Sequence, residues 1–295
     1  MKIESKRLLD RMRRGEFLLS VQIDPPTTEL AFEHVIDELM NAGVSLVDIN
    51  SSRRISHDSI HLATVLAEKG LGVIPHVTTR DSSINGLANQ ILAANSWSKV
   101  SNYLIITGDP YEAAQAIIPS SGVFQTDSVG AIEKLKAHLC GQLKLDLTFA
   151  GAVNQNGDPQ TEGQRLLEKI QAGAEFFMSQ PIFSEDQASK LLSFYRQYTD
   201  LPLLVGIWPL LNFKTVAAIK EGRIVGVVLP EEVYEKTKLY SDQADINALQ
   251  KWSLKKTQEL IKFVKKLGAN GVYVVAPARN PLLLLDLLNS HKAIR

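Results

Sequence analysis

The sequence has few of the residues that build disulfides, metal centres or nucleophilic sites. Its 295 residues contain one cysteine, Cys140, so no intrachain disulfide can form. Cys140 falls late in an apolar-periodic helix, which predicts a buried core thiol rather than a nucleophile. No HExxH or CxxC spacing occurs, so neither a structural nor a catalytic metal is expected. The absence of GxSxG and of a glycine-rich phosphate loop excludes two further catalytic classes.

The chain also lacks an excess of charge of either sign and lacks long apolar runs. Lys+Arg and Asp+Glu each number 32, so no global field attracts nucleic acid or an anionic membrane. No apolar run reaches about 18 residues, the length of a membrane span. Residues 1–17 have no apolar signal core and instead predict a short amphipathic helix closed by Gly15. A cytoplasmic protein is the default expectation.

What the chain does contain is a regular alternation of β-branched runs and capped amphipathic helices. The six predicted helix caps are Thr28, Ser56, Thr161, Ser184, Asn212 and Asn280. The predicted strands are Phe17–Ile23, Leu46–Asn50, Gly72–Thr78, Tyr103–Thr107, Asp146–Ala152, Glu175–Gln180, Leu203–Ile207 and Val272–Val275. Ile224–Leu229 is apolar but runs into Pro230, and we interpret it as an inserted connection.

Eight strands that each precede a helix predict an α/β fold, a closed (β/α)8 TIM barrel with a short N-terminal helix over one end. No Pro/Gly/Ser-rich linker interrupts the pattern, so one domain is expected over residues 1–295. The rival architecture is an open doubly wound sheet with a glycine-rich turn after the first strand. That turn reads Asp-Pro-Pro-Thr-Thr here, which favours the barrel.

The active site of such a barrel lies at the carboxyl ends of its strands. The polar residues at these ends are Gln22, Asp24, Asp48, Asn50, His76, Thr78, Thr107, Asp109, Asn154, Gln180, Trp208 and Arg279. Each alone is typical of a turn or a cap. Together they predict a rim rich in amide, hydroxyl and imidazole groups, which suits a large planar heterocycle such as a flavin or a pterin.

Six segments resemble the methylenetetrahydrofolate reductase family, most of all the branch fused to homocysteine methyltransferase domains. They are SVQIDPPTT (20–28), IPHVTTRD (74–81), LIITGDP (104–110), AGAEFFMSQPIF (172–183), LVGIWPLLNFK (204–214) and VYVVAP (272–277). The resemblance runs from about residue 5 to residue 292. It implies a (β/α)8 barrel that binds FAD and takes electrons from NADH or NADPH. Hydride then passes through the flavin to 5,10-methylenetetrahydrofolate, giving 5-methyltetrahydrofolate for one-carbon metabolism and methionine biosynthesis.

The resemblance also assigns residues to the cofactor. It places Asp109 near the flavin pyrimidine edge and the pterin. It also implies that the backbone approaches the ring closely at Gly108, where no side chain stands in the way. Lys169 matches a basic position near the pyrophosphate, although a solvated helix charge is an equal interpretation. The complete predicted cofactor set is Asn50, His76, Thr78, Thr107, Gly108, Asp109, Ala150, Asn154 and Lys169.

The predicted substrate side departs from the family. Gln180 matches a glutamine that contacts folate or nicotinamide, and Ile219 stands near a family aromatic position. Gln22 occupies the position of a glutamate that helps to protonate the folate nitrogen, and an amide cannot supply a proton at neutral pH. Asp24 lies on the same strand face as Gln22, since strand side chains repeat with period 2. It is either a substitute for the missing acid or a turn residue.

Three functions follow from these features. The first is an FAD-dependent methylenetetrahydrofolate reductase that receives electrons from a nicotinamide or from a partner subunit. A homo-oligomeric partner is also compatible with this function. The second is a flavin- or folate-binding subunit or regulator without reductase turnover. The third, a pterin-dependent methyltransferase, is disfavoured because no corrinoid or thiol-acceptor site is evident. The first two functions differ in whether the chain can reduce folate with an amide, Gln22, in the position of the family's acid.

Overall fold

The strands close into a parallel barrel in which each strand pairs with its neighbour in sequence. The computed structural model describes residues 7–27, 30–51, 56–110, 122–278 and 280–292. Its strands are β1 (Leu18–Ile23), β2 (Leu46–Ile49), β3 (Gly72–Thr78), β4 (Asn102–Ile106), β5 (Thr148–Val153), β6 (Phe176–Ile182), β7 (Leu203–Ile207) and β8 (Gly271–Val275). β1 pairs with β8 from Leu18↔Gly271 to Gln22↔Val275, which closes the ring. The predicted (β/α)8 barrel is confirmed.

Helices follow the strands and form the outer layer. In the described ranges they are α1 (Arg7–Arg13), α2 (Leu30–Asn41), α3 (Ser59–Glu68), α4 (Ile84–Ser98), α5 (Ser128–Leu135), α6 (Pro159–Ala172), α7 (Glu185–Tyr195), α8 (Phe213–Lys220), α9 (Glu231–Asp242), α10 (Ile246–Lys266) and α11 (Leu285–Lys292). A π-helical segment, Lys136–Gln142, continues α5, and a 3-10 turn, Pro281–Leu284, precedes α11. None of the helices in these ranges is long and apolar enough to cross a membrane.

Two helices begin at residues other than the predicted caps. The carboxylate of Asp58, not Ser56, accepts the first backbone N–H groups of α3. Asp158, not Thr161, caps α6, and the Thr161 hydroxyl itself donates to Asp158 at 2.7 Å. A carboxylate accepts N–H groups and also complements the helix dipole, so an aspartate can take the cap position in place of a nearby hydroxyl residue.

The other predicted caps have mixed outcomes. Ser184 and Asn212 accept the N–H groups of Gln187 and Thr215, as predicted. Asn280 makes no side-chain cap bond. Thr28 lies outside the described residues.

The core has two layers, one between strands and helices and one inside the barrel. Leu8, Leu9 and Met12 of α1 belong to the inner layer and pack with strand residues such as Leu18 and Leu46. The predicted N-terminal helix therefore covers the amino-terminal end of the barrel.

Cys140 packs against the outer core from the π-helical segment and is partly rather than fully buried. Its thiol lies 3.7 Å from the Leu147 carbonyl oxygen. Burial raises the pKa of this thiol, which opposes formation of the nucleophilic thiolate.

Candidate functional site

A cleft of about 1910 Å³ opens at the carboxyl ends of the strands. Sites for a single drug-sized ligand usually span about 300–1,000 Å³, so this cleft has room for a large cofactor and a second ligand. Apolar strand residues such as Leu104 and Met178 form part of its lining. The predicted polar residues that line it are Gln22, Asp24, Asn50, His76, Thr78, Asp109, Asn154, Gln180 and Trp208.

Gln22 of β1 and Asp24, the residue just after the strand, are two of these side chains, and their spacing follows the strand period of two. Gln22 has Asp48 and Val275 as its register partners on the neighbouring strands. In the described part of the chain no protein group hydrogen-bonds the Gln22 amide, so the amide is available to a ligand. Asp24 differs, because its carboxylate accepts a hydrogen bond from the Asn50 amide at 2.8 Å.

The end of β3 carries an ion pair between a buried arginine and an exposed aspartate, which the sequence analysis did not single out. The Arg80 guanidinium is 1% exposed and donates to both carboxylate oxygens of Asp81, at 2.8 and 2.7 Å. Asp81 also accepts the Thr78 hydroxyl at 2.9 Å, and Arg80 donates to the Asp109 carbonyl at 3.3 Å. Such two-pronged pairs fix geometry as well as charge. The pair therefore ties β3 to the loop after β4.

That loop requires a glycine. Gly108 has φ +83°, and a Cβ there would lie 3.2 Å from Thr78 and 3.3 Å from Arg80. Gly108 and Asp109 line the cleft, with Asp109 at its exposed edge. Thr107 does not line it, since its hydroxyl accepts the N–H of Ser128 at the start of α5.

On the opposite side of the mouth, a side-chain amide fixes the backbone of Gln180. Gln155 accepts the N–H of Gln180 at 3.1 Å and donates to its carbonyl at 2.9 Å. The pairing of β6 with β7 is irregular here, as is common beside functional sites. Ile224–Leu229 forms no strand, as predicted, and its Gly226 carbonyl accepts the Asn156 amide at 2.8 Å. The inserted connection thus borders the cleft.

Besides Thr107, three predicted site residues lie away from the cleft wall. Ala150 is fully buried inside the barrel. Lys169 is buried between α6 and β5, where its ammonium donates to the Ala152 carbonyl at 2.6 Å. Ile219 belongs to a separate apolar cluster with Phe183. The roles of these three residues stay predictions, and Arg279 lies outside the described residues.

Asp48 is also displaced from its predicted place at the rim. It is fully buried inside the barrel, and its carboxylate accepts the Ser20 hydroxyl at 2.5 Å. Its other oxygen lies 3.3 Å from Nε2 of His76, which does line the cleft. Tyr273 on β8, the register partner of Ser20, donates to the Ser179 carbonyl at 2.5 Å. Ser20 could have been predicted to point into the barrel, because it lies two residues before Gln22 and strand side chains alternate between the two faces.

The described residues hold no cluster of His, Cys, Asp or Glu that could bind a metal ion. Fold and site together define the class of protein: a (β/α)8 barrel with a polar ligand cleft at its carboxyl-terminal mouth. The sequence model of the methylenetetrahydrofolate reductase family matches residues 7–282, and the chain belongs to that family. No protein of curated function matches the chain in sequence.

Solved structures share the fold at low identity. One is an uncharacterized protein from Clostridium thermocellum that binds two copies of 5-methyl-5,6,7,8-tetrahydrofolic acid. It is 16% identical to this chain, with a TM-score of 0.67, and the match covers 97% of this chain and 99% of that one. Oxaloacetate acetylhydrolase with bound oxalate is 11% identical, with TM-score 0.56, over 99% and 84%. A 2,3-dimethylmalate lyase is 10% identical, with TM-score 0.55, over 99% and 85%. These likenesses concern the fold alone.

Proposed function

We propose that the chain binds a reduced folate and FAD in the cleft and reduces 5,10-methylenetetrahydrofolate to 5-methyltetrahydrofolate. NADH, NADPH or a partner subunit supplies the electrons. The observation that carries the proposal is the family match over residues 7–282, and the polar cleft at the strand ends supports it. The methyltetrahydrofolate ligands of the Clostridium thermocellum protein support the folate half. A cytoplasmic location, one domain over 1–295 and a homo-oligomeric partner belong to the same proposal.

The lining of the cleft fits a flavin cofactor. Its volume of about 1910 Å³ admits FAD together with a folate. The strand ends present donors and acceptors suited to a ring of fixed hydrogen-bond pattern, and few of them are charged. When bound, FAD would supply hydride transfer between nicotinamide and folate. The lining residues that would hold it are Asn50, His76, Thr78, Gly108, Asp109 and Asn154.

The cations near the cleft bear on where a diphosphate would bind. Among the described lining residues Arg80 and Lys214 are the cationic ones. Arg80 is already bound to Asp81, whereas the Lys214 side chain is exposed at the start of α8. The Lys169 ammonium is bound to the Ala152 carbonyl, which lies between it and the cleft. Lys169 would therefore attract a diphosphate through its charge rather than by direct contact.

The folate side of the cleft has amides where the reaction needs an acid. Gln22 and Gln180 can hydrogen-bond a pterin, but neither carries a proton that it can give up at neutral pH. The Asp24 carboxylate is already engaged as the acceptor of a hydrogen bond from the Asn50 amide. This shortage of acids favours a second candidate, a folate-binding protein without reductase turnover.

Equilibrium titrations test the binding that both candidates require. FAD and 5-methyltetrahydrofolate should each bind the purified chain, and His76→Leu should weaken at least one of them about tenfold, or about 1.4 kcal/mol. His138→Leu is the matched control, because His138 is exposed outside the cleft. If neither ligand binds, both candidates are excluded. Binding of folate without FAD would select the second candidate.

A further inference from the structure

The interior of the barrel holds a chain of three polar side chains that leads to the cleft. Ser20 on β1 donates its hydroxyl to Oδ1 of Asp48 on β2 at 2.5 Å. Oδ2 of Asp48 lies 3.3 Å from Nε2 of His76 on β3. Asp48 is 0% exposed and lies beneath the cleft, whereas the residual exposed surface of His76 belongs to the cleft lining.

Asp48 and His76 have no other partners for the two facing atoms. Oδ2 of Asp48 and Nε2 of His76 are both buried, and neither makes a fully aligned hydrogen bond to any described group. In the described part of the chain no lysine or arginine pairs with Asp48. An unsatisfied buried polar group is costly, so a small ring rotation that aligns the two atoms is favourable.

The neighbouring groups do not compete for this contact. Tyr273 commits its hydroxyl proton to the Ser179 carbonyl at 2.5 Å. Burial, and secondly the charge of Asp48, raise the pKa of Tyr273, so the phenol stays neutral. The register partners of Asp48 are Gln22, which lines the cleft, and the apolar Ile74. Of these groups, the His76 imidazole is the donor that the structure places next to Oδ2, at 3.3 Å, whereas the Gln22 amide makes no hydrogen bond to it.

We propose that Asp48 is a positioning residue that fixes the proton of neutral His76 on Nε2. The other ring nitrogen, Nδ1, is then a hydrogen-bond acceptor towards the cleft. Its complement is a ring N–H donor, the group that pterins and the isoalloxazine of FAD both carry. The identity of this ligand rests on the proposed function, but the position of the proton on His76 does not.

Nitrogen-15 NMR of the histidine rings reads the proton position directly in the ligand-free protein. At a pH where the ring is neutral, His76 should show a protonated Nε2 and an unprotonated Nδ1, with His76→Gln assigning the signals. A proton on Nδ1 would overturn the proposal. The proton position is read in the native chain, and His76→Gln serves only to identify which signals belong to His76.

Asp48→Asn tests whether Asp48 determines the position of the His76 proton. The introduced amide can donate a hydrogen bond to Nε2 of His76, which would drive the ring proton to Nδ1. An isosteric change of this kind is known to reverse a histidine tautomer elsewhere. Asp24→Asn is the control: its carboxylate contacts Asn50 and should leave the His76 signals unchanged. An Asp48→Asn protein that folds and keeps the proton on Nε2 would contradict the proposed role of Asp48.

The ligand arm uses FAD and 5-methyltetrahydrofolate as probes. Asp48→Asn should weaken at least one of them about tenfold, because Nδ1–H would then face a ligand N–H. A reversed tautomer with unchanged affinity for both would overturn the ligand contact. If native protein binds neither probe, the proposed function fails, while the NMR result on Asp48 and His76 stands by itself.

Discussion

Gln22 presents an amide at the position where the resemblance predicts a carboxyl group. Its register partner on β2 is the buried Asp48, and Asp24 beyond it is hydrogen-bonded to Asn50. The carboxylates nearest to Gln22 on its own and the adjacent strand are therefore already engaged. If folate reduction occurs, it proceeds here without the family's acid in its usual place.

Gln22→Glu should restore that acid. The nearby Asp48 carboxylate disfavours a second negative charge, which helps the introduced carboxyl group to keep its proton. We expect flavin reoxidation by methylenetetrahydrofolate to accelerate about tenfold or more, since general acids contribute about 10²–10⁴ in rate. Flavin reduction by nicotinamide, a hydride transfer, should change less. Stopped-flow absorbance separates the two half-reactions.

The matched control for this prediction is Gln243→Glu, an exposed site after α9. It adds the same charge and should alter neither half-reaction. A slower reoxidation in Gln22→Glu, with native turnover already fast, would show that another group supplies the proton.

Individual side chains were only partly predictable. Strand ends identified the cleft residues Gln22, His76 and Gln180 because parallel strands end at one mouth. The burial of Asp48 was not predictable, since the depth of a strand residue depends on where the barrel mouth begins. Ile219 lies in an apolar cluster and not on the cleft wall, because the rotation of α8 about its axis depends on packing with α9; its role stays a prediction.

At the scale of elements, α1 seals the amino-terminal end of the barrel. Met12 is 1% exposed and packs within the inner core layer. Met12→Ala should lower the free energy of unfolding by about 2–5 kcal/mol, the usual cost of such a truncation. Arg13→Ala, on the exposed face of the same helix, should change it by no more than about 0.5 kcal/mol. Urea unfolding measures both, and equal effects would mean that α1 is not a seal.

The contact between α6 and β5 gives a prediction about pH. Burial is the main cause that lowers the pKa of Lys169 in the folded chain. Between that value and the higher pKa of the unfolded chain, the unfolded state binds more protons, so stability from this group rises with pH. Lys169→Met should remove this rise in the alkaline range, whereas the exposed Lys190→Met should keep it. Urea unfolding at a series of pH values tests both, and identical profiles for the two variants would contradict the burial of this charge.

The order and type of the elements were predictable, but some of their ends were not. Alternating β-branched runs and helical periods identified every strand to within about two residues, because burial and propensity agree there. The starts of α3 and α6 were placed wrongly, since Asp58 and Asp158 compete with nearby hydroxyl residues for the same cap. Sequence alone does not rank such neighbours.

For the whole molecule, the closed barrel leaves one end sealed by α1 and the other open as a cleft. Chain connectivity and the family match agree on this architecture from residue 7 to residue 282. Both candidate functions place a folate in the same cleft, and they differ in whether that folate is reduced and in whether FAD is required.

A single-turnover experiment without oxygen separates them most directly. The chain is loaded with FAD, reduced, and mixed with 5,10-methylenetetrahydrofolate while the flavin absorption bands and the folate products are followed. The proposed reductase activity predicts that the oxidised flavin bands return and that one equivalent of 5-methyltetrahydrofolate forms. A flavin that stays reduced, with no 5-methyltetrahydrofolate formed by a protein that binds folate, would contradict it.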